Sequence, residues 1–308
     1  MEGTKKHRGA LGQLPIYVGK CARMFVYQND WKFLPMSALI AFLVSFVAGQ
    51  NMFVTMEGTF QGAFALSCVC IWNGFFNSIQ SVCRERTIVK REFRSGMKIS
   101  TYITAHMIYQ LILCLLETII TIVVLKAGEV RFLEESVVTP WFELDLGITL
   151  FLTTYAADIT SLFISCMVHS TTTAMTVMPF MLIFELVFSG GAFELAGISE
   201  TLSNLSICKY GLNCVASVGN YNAQPSVTMW NTFFKLRSYE PVNELIHYIE
   251  DNNKLDEILR ESGRMMQEAK YEHTQENVVW CWFLIFLFIV VFGILSVVAL
   301  SFVDRDKR

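Results

Sequence analysis

The chain has 308 residues, of which 53% are hydrophobic and 17% charged, with a formal net charge of -3. It is more apolar and less charged than an ordinary soluble domain, and the surplus points to lipid as its solvent. The opening residues MEGTKKHRG are basic but lead into no short apolar core with a small-residue cleavage site, so no cleaved signal peptide is expected. Next comes Leu14–Asn29, with apolar residues at Leu14, Tyr17, Val18, Cys21, Met24 and Phe25 and with Pro15 near the expected start of a helix. An amphipathic helix lying on a membrane face is the simplest reading of it.

A bilayer core about 30 Å thick takes roughly 20 apolar residues in a helix. Phe33–Thr55, Gly58–Cys83 and Val278–Val303 meet that test without a charge. Ile99–Leu125 meets it apart from Glu117, Leu146–Val168 apart from Asp158, and Thr171–Phe193 apart from Glu185. The expected fold is an all-α polytopic membrane protein with six spans, forming one transmembrane domain over residues 1–308. Its parts are an N-terminal segment 1–32, spans one to five over 33–193, a large non-membrane segment 194–277, span six at 278–303 and a tail at 304–308.

Six spans place both termini on one side, and the distribution of Lys and Arg decides which. Lys5, Lys6, Arg8, Lys20, Arg23 and Lys32 precede the first span; Arg84, Arg86, Lys90, Arg91, Arg94 and Lys98 follow the second; Arg305, Lys307 and Arg308 end the chain. These segments are expected in the cytoplasm of a cell-membrane protein. Gln50–Glu57 has no basic residue, and Lys126–Asp145 has only Lys126 and Arg131. Residues 194–277 then fall outside, with an acidic stretch from Glu240 to Glu276. There Val242, Leu245, Ile246, Ile249, Leu255, Ile258 and Leu259 mark a helical hairpin. Asn204-Leu205-Ser206 matches the glycosylation acceptor pattern, a triplet common by chance.

Between spans two and three lies CRERTIVKREFRSGMKISTY, Cys83–Tyr102. Val82, Val89, Phe93 and Met97 recur at helical steps, leaving Arg84, Glu85, Arg86, Lys90, Arg91, Glu92 and Arg94 on the other faces. An amphipathic helix over 84–98 is expected, either a basic anchor along headgroups or a helix that docks on a cytoplasmic partner. Arg91 and Glu92, being adjacent, point to different faces, so at least one should reach another element.

Glu85-Arg86-(four residues)-Arg91-Glu92, with Gly96 and Tyr102 beyond, resembles the ER-x4-RE…G…Y signature in the first cytoplasmic loop of ATP-binding-cassette exporter permeases of the G-subfamily type. Phe188-Ser189-Gly190-Gly191-Ala192-Phe193 and Ser206-Ile207-Cys208-Lys209-Tyr210-Gly211 are similar to that family's FSG-x-F and S-x-x-KYG stretches. The resemblance implies that Arg84, Glu85, Arg86, Arg91, Glu92, Phe93, Arg94 and Gly96 belong to a coupling helix, which passes the closure of ATP-bound cassettes to the spans. Phe93 and Met97 would fill an apolar groove on the cassette. Leu14–Asn29 would be the connecting helix. It also implies a dimer whose second and fifth spans bound the substrate path, with Asn73, Phe76, Asn77, Thr176, Phe180 and Phe184 as cavity candidates. Asp158 and Glu185 would form a polar relay.

The same resemblance groups Glu117 with that relay; read from the residues alone, Glu117, Asp158 and Glu185 are hydrogen-bonded packing groups or a proton pathway. An ionised carboxylate at a helix centre costs about 2.5–3.5 kcal/mol, so all three should face protein or water. Pro179 breaks the fifth span, where Thr171, Thr172, Thr173 and Thr176 re-satisfy freed backbone groups or line a cavity. His106 is expected near headgroup level.

The nine cysteines show no metal-ligand clustering, and most fall in predicted spans; Cys208 and Cys214 share a non-membrane stretch and are a candidate disulfide. No G-x4-G-K-[ST] loop is present, and Ser189-Gly190-Gly191 only superficially resembles a cassette signature. No catalytic residue and no metal site are expected. ATP and magnesium would belong to a partner ATPase, and the other expected partners are a second permease half and lipid, with no nucleic acid. An ATP-independent ion-coupled carrier or channel, and a non-transporting scaffold or sensor, are the rival readings.

Overall fold

The computed structural model describes residues 9–27, 31 and 33–302. Lys5, Lys6, Arg8, Lys32, Arg305, Lys307, Arg308, the Gln28–Asn29 end of the first amphipathic segment and the tail 304–308 lie outside the described residues. The described residues form helices and turns without strands. In chain order they are α1 (Ala10–Tyr27), α2 (Phe33–Ala48), α3 (Met56–Ser78), α4 (Arg86–Arg94), α5 (Ile99–Ala127), α6 (Phe142–Met167) and α7 (Thr171–Val187). They continue with α8 (Ile198–Ser203), α9 (Ile207–Val218), α10 (Thr228–Lys235), α11 (Glu240–Asp251), α12 (Leu255–Met265) and α13 (Gln275–Ser301).

Four helical stretches are long and apolar enough to cross a membrane: Met56–Arg94, in which α3 continues into α4, and α5, α6 and α13. α2 and α7 are apolar but only 16 and 17 residues long. At 1.5 Å per residue each extends about 25 Å, less than the roughly 30 Å hydrocarbon core. α2 stops before the polar turn that starts at Gly49, well short of Thr55. α7 stops at Val187 rather than Phe193, because Ser189-Gly190-Gly191 turns the chain with Gly190 at φ 78.

α6 is the axis of the bundle, buried along most of its length between α3 and α13. Its threonines explain how so polar a helix can be interior. Thr149, Thr153 and Thr160 each donate at 2.8 Å to the carbonyl four residues back, so none is left unsatisfied. α3 approaches closely where Gly74 meets α6: a Cβ there would sit 2.7 Å from that of Ala157.

The stretch 194–277 does not all stand apart from the bundle. α9 is buried inside the bundle against α3, α6 and α13, with Cys208, Leu212, Cys214 and Ala216 fully covered. Its Ser217 end meets Asn277 at the start of α13, while Gly211 abuts Ser67 halfway down α3. The chain therefore leaves α7, turns through α8, re-enters the bundle and climbs out along α9. Beyond it α10, α11 and α12 form the expected helical excursion, in which Ile246 and Ile249 are buried while Leu245 is exposed. Glu57 ties it to α3, accepting from the Ser226 hydroxyl at 2.7 Å and the Thr228 amide at 2.8 Å. Asp145 likewise holds the loop before α6, accepting from Ser136 and the amides of Val137, Val138 and Thr139.

Candidate functional site

The motif-bearing stretch is a short helix with two unlike sides. A 3-10 turn at Cys83–Glu85 leads into α4, and the chain breaks at Gly96, whose φ of 99 favours glycine. Val82, Val89 and Met97 are buried and Phe93 is half-buried, which matches the predicted stripe. Met97 belongs to the protein's own core and half-buried Phe93 packs against that core. Glu85 departs from expectation by turning inward. It accepts from Lys20 of α1 at 2.9 Å and from the Tyr102 hydroxyl of α5 at 3.3 Å.

α4 is thus fixed from three directions. Lys20 also lies 3.9 Å from Glu92, so Glu92 is the member of the Arg91–Glu92 pair that reaches another element. Burial, followed by the Glu92 charge, raises the Tyr17 hydroxyl to about 12 beside this contact, and burial raises the Cys21 thiol to about 11. Gln13 of α1 brackets the Gly96 turn, donating to Gly96 O at 3.3 Å and accepting from Lys98 N at 3.1 Å. Arg86 donates to the carbonyls of Cys166 and Val168 at 2.7 and 3.0 Å, placing a cation on the C-terminus of α6. Ser165 accepts from the amides of Val82 and Cys83. The opposite side of α4, with Thr87, Ile88, Arg91, Arg94 and Ser95, is exposed, as is Arg84.

α1 follows its predicted stripe, with Cys21 buried and Leu14, Tyr17, Val18, Met24 and Phe25 half-buried. It begins at Ala10, however, so Pro15 sits inside the helix and not at its start. The contributions of Gln13, Lys20 and Ser165 carry no signal in the sequence, because each acts on this stretch from a distant position in the chain, whereas Tyr102 stands in the motif itself, 17 residues from Glu85.

The three carboxylates in the apolar segments do not form one relay. Asp158 accepts from the Ser78 hydroxyl and, at 3.3 Å, from the Cys114 thiol, and Gln110 donates to Ser78 at 2.7 Å. Glu117 accepts from Asn77 at 2.8 Å, and Gln110 also donates to the Asn77 carbonyl at 3.4 Å, so these two carboxylates share a network between α3, α5 and α6. Glu185 stands apart. It accepts from the Ser206 hydroxyl and the Cys208 amide, each at 2.9 Å, and so covers the first turn of α9 inside the bundle.

The cavity candidates divide in the same way. Asn73 donates inward to Ser37 of α2 at 2.9 Å, and Asn77 to Glu117. Phe180 is 71% exposed and Thr176 is exposed, while Phe184 packs 4.8 Å from Phe188. Only Phe76 and Asn77 share a cavity, of about 270 Å³, whose other walls include Phe33, Ser81, Arg84 and Met175. His106 is buried, its ring 4.6 Å from that of Tyr102 and 3.8 Å from the Cys21 sulfur of α1. Asn204 holds Lys209 through its side-chain oxygen at 2.8 Å. Cys208 and Cys214 are free thiols. Six residues apart on one helix, they are separated by about 9 Å along its axis, beyond the roughly 7 Å that a disulfide spans.

Apolar helices around a threonine-rich axis, with a charged helix across one end, suggest a multi-pass membrane protein. The family model described as ABC-2 type transporter matches residues 22–218, and the chain belongs to that family, the permease domain of type-2 ABC exporters. The matched stretch contains α4 and the carboxylates Glu117, Asp158 and Glu185, in agreement with the resemblance carried by the Glu85–Glu92 and Phe188–Phe193 motifs. No curated protein matches the chain.

Proposed function

We propose that the chain is the permease subunit of an ATP-driven exporter, with α4 as the coupling helix through which a separate ATPase moves the bundle. The observation that carries this reading is the two-sidedness of α4. Its inner side is fixed to α1, α5 and α6, so force on it moves three helices together, while Ile88 and Arg91 lie one turn apart on an exposed side suited to a partner. The end bearing α1 and α4 faces the cytoplasm, as the basic residues favour. α2 and α7 complete six spans with α3, α5, α6 and α13, their shortness compensated by the turns that follow them, and both termini are cytoplasmic. α1 is the connecting helix.

ATP and magnesium act in the partner's cassettes, and this chain supplies no catalytic group. Two permease halves, identical or homologous, enclose a path for an amphipathic or hydrophobic substrate, with the exposed α7 face around Thr176 and Phe180 turned to the other half. Co-purification from mild detergent tests the assembly: a stoichiometric ATPase is expected with the native chain. Ile88→Asp combined with Arg91→Glu should lose that ATPase and transport while leaving the thermal midpoint of the permease unchanged. Transport driven by an ion gradient without an ATPase would replace this reading with that of an ion-coupled carrier.

A further inference from the structure

Among the described residues, two buried amide oxygens lack a hydrogen-bond partner: Asn77 Oδ1 and Gln110 Oε1. Both residues line one small cavity of about 30 Å³, together with Cys21, Ser81, Arg84 and His106. That volume exceeds the roughly 10–15 Å³ a water needs, and acceptors without donors are what a water satisfies. The cavity shares Phe33, Asn77, Ser81 and Arg84 with the larger one of about 270 Å³ at the end of the bundle that carries α4. Asn77 has a second role, because its Nδ2 donates to Glu117 Oε2 at 2.8 Å. A single side chain thus lies between a cavity large enough for water and a buried carboxylate whose side-chain donor among the described residues is Asn77.

We infer that Glu117 is a proton-binding site loaded from the cytoplasm through the Asn77–Gln110 cavity, so that the export cycle includes a protonation step. A hydronium ion reaching the water held by Asn77 and Gln110 passes its proton to the Glu117 carboxylate, leaving water and a neutral carboxylic acid. The surroundings leave the carboxylate without a counter-charge. Among the described residues, no Lys or Arg pairs with Glu117 or Asp158.

The titratable groups that feel the charge of Glu117 are Asp158 of α6, the Cys70 thiol of α3 and, on its own helix, the Cys114 thiol. α2 presents no titratable side chain. Cys21 of α1, Arg84 and His106 line the same cavity, and Lys20 of α1 is paired with Glu85. Asp158, with the Ser78 hydroxyl and Cys114 thiol both donating to it, lies deeper and is the second station.

The cytoplasmic direction rests on the orientation proposed above, whereas the site itself does not. Infrared difference spectra of the full chain in nanodiscs, recorded as the bulk pH is lowered, should show the carbonyl stretch of a newly protonated carboxylic acid in a non-aqueous environment. Glu117→Gln should abolish that band and Asp158→Asn should shift it. A band unchanged by Glu117→Gln, or no band at all, overturns the proposal.

A second measurement does not depend on the folding of that variant. Ser81→Cys should be modified by a small membrane-impermeant thiosulfonate in inside-out vesicles, identified by peptide mass, and Leu111→Cys on the exposed face of α5 should not. An unreactive Cys at 81, or one reactive only from the external face, overturns the cytoplasmic path. Absence of an ATPase partner would remove the exporter reading and leave both readouts as they stand.

Discussion

At the scale of single residues, the contact that matters most to the junction is Lys20 with Glu85. The Glu85 side chain is 8% exposed and that of Lys20 25%, so water screens the pair only partly. Lys20→Met leaves a buried carboxylate with the Tyr102 hydroxyl as its remaining partner, a loss of about 1–3 kcal/mol. Adding Glu85→Gln removes the stranded charge, so the double variant should be no less stable than Lys20→Met alone. Thermal unfolding in detergent of the two single variants and the double one checks this, and additive losses would show that the pair is not coupled. The inward stripe Val82, Val89, Phe93 and Met97 was legible because helical periodicity is local. The inward turn of Glu85 was not, since nothing near it in the chain announces a lysine 65 positions away.

At the scale of elements, α9 is the part that hydropathy could not reveal. It is 12 residues long and carries Lys209, so it fails the length test for a span and reads as part of a loop. Its first-turn amides begin inside the bundle, where no bulk water replaces a missing acceptor. The Glu185 carboxylate supplies the acceptor from α7. Glu185→Ala should therefore cost about 1–3 kcal/mol and speed hydrogen exchange at 207–210 more than elsewhere in the chain. Glu185→Gln keeps a carbonyl oxygen in place and should retain much of the protection. Equal exchange in native protein and Glu185→Ala would mean that the turn is held by packing alone. The functional corollary is that α7 and α9 move as one piece, since a shift of α7 alone would uncover those amides. Both residues of this cap stand in the sequence, Glu185 as a charge in an apolar run and Ser206 before a helix, but their pairing is a fact of tertiary structure.

At the scale of the whole molecule, the excursion of α10, α11 and α12 and the bundle beneath it are separable. Helical character was legible there from the spacing of Ile246 and Ile249, as was the order of the apolar segments. The re-entry of α9 that divides excursion from bundle was not. The three helices pack chiefly on one another and on the turn at Tyr221–Ala223. Below them Phe60, Tyr221 and Tyr271 close the bundle, with ring centroids 4.9 to 6.3 Å apart. The two ends of the excursion meet, because the Ser226 amide donates to the Leu259 carbonyl at 3.1 Å. Replacing residues 228–258 with a short Gly-Ser linker is therefore geometrically feasible, and loop-closure entropy changes by only about 0.6 kcal/mol per doubling of loop length. The deletion removes the Thr228 contacts to Glu57 but keeps those of Ser226 and Val227, so the carboxylate retains donors. The shortened chain should insert and keep a thermal midpoint close to native, with far-ultraviolet circular dichroism reduced by the missing helices alone. If it also retains ATPase coupling, force passes from α4 through α3, α5 and α6 without the excursion. A chain that no longer folds would show instead that these helices hold the bundle closed from outside, making them part of the moving core.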